Sequence, residues 1–146
     1  MTLASAPIFA AGVLALSCSA TADLIQIGAA RDNTLFFDAA GAVSNGVGSG
    51  FFTGANSAGA VRRGVIAFDI AAAIPAGSLI TGATLILHNG GAQSAPIAMD
   101  LQRLLANWGE GTSNSGASGG SGSLFNDADA TWIHTFYPGA FWANPG

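Results

Sequence analysis

Glycine is scattered through this chain in a way few folds can accommodate. Twenty-one glycines separate short apolar runs over 146 residues, and no stretch keeps an uninterrupted helical repeat. Such a pattern suits short strands joined by tight turns far better than a helical bundle, so an all-β fold is expected. Half of the residues are hydrophobic, enough for one domain with a real core.

The clearest alternation runs from Arg62 to Ile70. Gly64, Ile66, Phe68 and Ile70 fall on one face, and Arg63, Val65, Ala67 and Asp69 on the other, as in a half-buried strand. Leu35-Phe36-Phe37, after the polar Asp32-Asn33-Thr34, and the glycine-flanked Phe51-Phe52 are β-like as well. Pro75 and Gly77 break the pattern, and Leu79 to His88 then reads as a second apolar strand sharing the same core. Pro96 to Leu105 has both strand and helical spacings; strand is preferred because Pro96 opens it and strands surround it. Residues 112–123 are nearly all Gly, Ser, Ala, Thr and Asn, and predict a mobile loop. Trp132 to Tyr137 is a β-rich run ended by Pro138-Gly139, and no closing strand is expected after Phe141-Trp142.

The first residues read differently. Thr2 to Ala22 is almost wholly apolar or small, centres on Ile8 to Leu16 and closes on the small-x-small site Ala20-Thr21-Ala22. This predicts a helical signal peptide over residues 1–22, removed on export, although its start lacks Lys or Arg. The run is too short and too broken by Ser and Gly for a stable transmembrane span. Cys18, the sole cysteine, would leave with the leader; the competing lipoprotein reading, in which that thiol is acylated, fits Ala15-Leu16-Ser17 poorly. The mature chain would then hold no disulfide, no thiol nucleophile and no cysteine metal site.

Charge excludes other classes. Only 8% of residues are charged, Lys is absent, and Arg31, Arg62, Arg63 and Arg103 face a net charge of −4. No basic stripe exists to neutralise phosphates, so nucleic acid is not an expected partner. Serines among the glycines form no nucleophile elbow. His88 and His134, on separate strands, make no zinc site; His134 is either a neighbour of Trp132 on a binding face or a polar strand-edge residue. Glu110 is the only Glu, and Trp108-Gly109 before it and Gly111 after it suggest a flexible corner, a poor mount for a catalytic acid. No catalytic residue is assigned. Asp127 and Asp129, near Asn126, are the best hard-oxygen cluster, making calcium the one cofactor to consider, outside any EF-hand pattern.

Aromatic side chains offer the best binding chemistry. Sugar rings stack their C–H faces on Trp and Tyr, so Trp108, Trp132, Tyr137 and Trp142 are candidate ligand contacts, with Arg103 or Arg62 available to an acidic sugar. Core packing competes for these rings, most strongly for Trp132. Arg62 or Arg63 is expected in a buried ion pair with Asp69 or Asp38.

Three segments carry a resemblance. RRGVIAFDIAAAIPAGSLITGATLILHN from Arg62, DLQRLLANWGEGT from Asp100 and DADATWIHTFYPGAFWANPG from Asp127 resemble the DNRLRE domain family, secreted modules related to disaggregatase repeats. The resemblance spans residues 31–146 and is most specific at Phe68-Asp69-Ile70, at the turn from Ile74 to Gly77 and at Asp129-Ala130-Thr131-Trp132. It implies a jelly-roll-like antiparallel β-sandwich similar to carbohydrate-binding modules, over residues 23–146, and a family pattern that continues past Gly146, so that the sandwich is expected to be incomplete at its C-terminal end. The expected function is a secreted or cell-surface, non-catalytic module binding a polysaccharide or surface glycan; the alternatives are a structural spacer or adhesion unit and a polysaccharide-cleaving, disaggregatase-like enzyme.

Overall fold

The computed structural model describes residues 23–91 and 98–146; the expected leader lies outside them. Most regular elements of the described chain are strands, in small antiparallel sheets, with one turn of α-helix. Its elements are β1 (Arg31–Phe36), β2 (Val43–Ser44), β3 (Gly54–Ala55), β4 (Val61–Ala67), α1 (Ile70–Ala73), a 3₁₀ segment (Gly116–Ser121), β5 (Ser123–Leu124), β6 (His134–Phe136) and β7 (Ala140–Phe141). An all-β fold follows from this census. No helix among the described residues is long and apolar enough to cross a membrane.

The main sheet has the order β1-β4-β3, with β2-β5 and β6-β7 as two-stranded sheets. In β1-β4, Arg31 pairs with Ala67, Asn33 with Val65 and Leu35 with Arg63, and paired residues share a face. Leu35 and Val65 meet Trp108 and Ala130 in the core, with Ala67, Trp132 and Trp142 packed around them. The core therefore lies on the Arg63-Val65-Ala67 face of the alternating strand. Opposite it, Gly64 lies against the Phe51 ring and the Phe52 N–H donates to Thr34 Oγ1 at 2.9 Å. Cover on both sides explains why the second half of β1 is continuously buried.

Strand β4 ends at Ala67, because Asp69 caps α1: its carboxylate accepts from the Ala72 N–H, and Ala71 to Ala73 are strong helix formers. Asp69 is thus no partner for an arginine. Asp38 is also engaged, accepting from the N–H groups of Ala40 and Ala42. The expected buried ion pair is replaced by other contacts: Arg62 donates to the carbonyls of Gly120 and Ala60, and the Arg63 guanidinium sits 5.2 Å from the centre of the Trp132 ring.

Two further expectations change. Leu79 to His88 forms no strand and exposes its apolar side chains, Leu79 to 87%; residues 98–105 do the same, with Leu105 89% exposed. The outer edge of β1 does not receive either run, being occupied by side chains: the Asp32 N–H donates to Glu110 Oε1 and the Thr34 N–H to Asn33 Oδ1. Within residues 112–123, two serines have partners elsewhere in the chain. Ser113 is buried, accepting from the Gly46 N–H, and Ser115 donates twice to Asn45 Oδ1.

Candidate functional site

Beside the β6-β7 hairpin lies a turn built around a buried carboxylate. Asp129 is 0% exposed. Its Oδ1 accepts from the Ser113 N–H at 3.3 Å and its Oδ2 from the Asn126 N–H at 2.6 Å. The backbone continues the lock: Ala128 N–H donates to the Tyr137 carbonyl, Tyr137 N–H to that of Asp129, and Ala130 N–H to that of Gly109. Ala128 is held at φ 66°, a left-handed conformation that a non-glycine residue keeps only where its surroundings impose it. A Cβ at Gly109 would strike the Ala128 carbonyl, and one at Gly111, itself at φ 69°, would strike Asp129 Oδ1. Those two glycines therefore allow close packing and make a firm corner, not the flexible one their sequence suggests.

This corner presents Asn126 and Asp127 outward. With Thr112, Phe125 and Tyr137 they line an open cleft of about 610 Å³. Phe125 and Tyr137 stack with centroids 3.7 Å apart and planes 27° from parallel. The aromatic row goes on: His134 meets the Tyr137 ring edge-on at 5.0 Å and leans on Phe141 at 4.6 Å. The hairpin sets this geometry, because His134 and Phe141 are cross-strand partners.

The His134 ring is buried and acts as structure. Thr131 Oγ1 lies 2.9 Å from Nδ1 and already accepts from the Ile133 and His134 N–H groups. With those two N–H groups on its oxygen, the Thr131 hydroxyl is assigned as the donor to Nδ1, a contact that fits a neutral imidazole. Burial also lowers its pKa from the ordinary 6.5.

The structure sorts the sequence candidates into three groups. Trp108, Trp132 and Trp142 come together, but in and around the core. Trp108 is 3% exposed, with the Arg31 guanidinium 4.8 Å from its ring centre. Phe37 and Arg63 flank Trp132, and Trp142 donates its Nε1–H to the Thr131 carbonyl. Trp108 belongs to the core with Leu35 and Val65, and Trp132 and Trp142 pack against it. Arg103 is exposed on the unpaired segment before Trp108. Tyr137 and Asp127 do meet at the cleft. Asp127 and Asp129 do not converge: one faces out, and the other has both oxygens on backbone N–H groups, so the pair is a poor donor set for calcium.

Phe125 and Phe141 were missed by sequence reasoning; the only signal for Phe141 was its spacing from His134 across a Pro-Gly turn. A second carboxylate, Asp32, which with Asn33 reads in the sequence as a weaker calcium candidate or a turn cap, has a distinct setting. Asp32 Oδ1 is buried with no hydrogen-bond partner among the described residues, and its pKa is raised by desolvation and then by the nearby Glu110 carboxylate. Compared with family models, curated proteins and solved structures, the chain gives no match.

Proposed function

We propose that this chain is an exported, non-catalytic β-module that binds carbohydrate at the cleft beside Asp127. A jelly-roll-like sandwich of the DNRLRE kind, and membership of that family, belong to the same proposal. One observation carries it: a stacked Phe125-Tyr137 pair opens into a cleft whose other lining side chains are a hydroxyl (Thr112), an amide (Asn126) and a carboxylate (Asp127). Aromatic surface beside a few fixed polar groups is what a sugar needs, apolar C–H faces against the rings and hydroxyls against the rim. The buried Asp129 anchor supports the reading, because a rigid mount lowers the ordering cost of binding.

Isothermal titration against a panel of soluble oligosaccharides tests the proposal. At least one is expected to bind, and Tyr137→Ala is expected to weaken it at least tenfold while the circular dichroism spectrum is retained. If no sugar binds, or Tyr137→Ala binds equally well, the module is a spacer or adhesion unit instead. Assays for new reducing ends or unsaturated sugars are expected to stay blank.

A further inference from the structure

We infer that Asn89 is a spontaneous deamidation site, where the chain turns a side-chain amide into a carboxylate with water as the only co-reactant. The sequence holds two Asn-Gly pairs, Asn45-Gly46 and Asn89-Gly90. In such a pair the backbone nitrogen of the glycine can close a succinimide ring on the asparagine Cγ, and the missing Cβ lets it approach. Both pairs carry the same chemistry, so their surroundings decide which one reacts.

At Asn45 every group the reaction needs is committed elsewhere. The side chain is 1% exposed. Its Oδ1 accepts from the Ser115 N–H and hydroxyl, and its Nδ2 donates to the Gly50 carbonyl. The Gly46 N–H donates to Ser113 Oγ at 3.0 Å, and a Cβ at Gly46 would strike the Glu110 carbonyl, so this backbone has no room to swing toward the side chain.

At Asn89 the reverse holds. Asn89, Gly90 and Gly91 are exposed, and a Cβ on either glycine would meet nothing within 4 Å. Among the described residues the Gly90 N–H has no hydrogen-bond partner, which leaves its nitrogen able to lose a proton and attack. One contact is present, and it assists: the Gly91 N–H donates to Asn89 Oδ1 at 3.1 Å, an Asx turn. Negative charge gathers on that oxygen as the bond to Cγ forms, and the N–H already lies on it.

The step balances without an oxidant. A base takes the Gly90 amide proton, the nitrogen bonds to Asn89 Cγ, and the Cγ–Nδ2 bond breaks as the base passes that proton to Nδ2, which leaves as ammonia. Water then opens the succinimide at either carbonyl and returns a proton to the nitrogen, giving aspartate or, where the chain now runs through Cγ, isoaspartate. Residues 70–99 contain no Asp, Glu, Lys or Arg. The product is therefore the only carboxylate in that span, and it directly follows the exposed apolar run that ends at His88.

Peptide mass mapping of the full chain held at mildly alkaline pH tests this. In the folded protein the amide-to-acid mass gain is expected at Asn89 at least about tenfold faster than at Asn45, which must first open locally. Isoaspartate is expected among the products, and hydroxylamine, which cuts succinimides, is expected to cleave after Asn89 and to spare Asn45. In guanidinium chloride the two pairs are expected to react at similar rates. Gly90→Ala, whose Cβ enters open space, is expected to slow Asn89 about tenfold with the circular dichroism spectrum unchanged. Equal rates in the folded chain, a difference that persists in denaturant, no isoaspartate, no cleavage after Asn89, or a Gly90→Ala variant that reacts as fast would overturn the inference.

Discussion

Single side chains hold this molecule together through buried polar contacts more than through bulk. Asp129 is the clearest case: with both oxygens occupied by backbone N–H groups, Asp129→Ala strands two buried donors and is expected to cost about 3 kcal/mol, read from urea unfolding. His134 makes a pH prediction. Its folded-state pKa lies below the ordinary 6.5, so the unfolded chain takes up more protons as the pH falls. Stability is therefore full above pH 6.5 and declines below it until the folded-state pKa is passed. Melting temperature between pH 7.5 and 5 is expected to fall in the wild type and to fall less in His134→Gln. Neither role was visible in the sequence, where Asp129 resembled a metal ligand; of its two partners, Asn126 is near in the chain but Ser113 lies 16 residues away, a contact the chain order does not announce.

At the scale of elements, Asn33 fastens β1 to its surroundings. Its Oδ1 accepts from Thr34, Asn45 and Ser44, and its Nδ2 donates to the carbonyls of Glu110 and Ala130. Asn33→Leu keeps the volume but leaves these groups unpaired, and is expected to destabilise by about 3 kcal/mol in the same unfolding assay. The strands that were legible in advance are those whose pattern and partners agree. Arg62 to Ala67 alternates and finds β1; the Trp132 to Tyr137 run finds β7 across the Pro138-Gly139 turn. Leu79 to His88 is apolar on both faces and yet forms no strand, since an apolar run reports the wish to be covered and not the partner that covers it. In the loop over residues 112–123, Ser113 and Ser115 find partners at Gly46 and Asn45, just after β2, contacts that composition does not encode.

Across the whole molecule, two surfaces with different chemistry emerge from one β scaffold. The hairpin side offers a polar-rimmed aromatic cleft beside the buried Asp129, and the run from Leu79 to His88 offers an exposed apolar surface without Asp, Glu, Lys or Arg. Limited proteolysis is expected to cut within residues 79–88 before any of the strands, because that backbone lies outside every sheet and is exposed. Calcium chelation is expected to leave the melting temperature unchanged, given how Asp129 spends its oxygens. Binding at the cleft is the claim on which the functional account rests. Amide chemical-shift mapping during titration with an oligosaccharide tests it most directly: the account predicts that the largest shifts cluster at residues 112, 125–127 and 137. Shifts centred on Trp108, Trp132 and Trp142, or spread evenly over the chain, would contradict it.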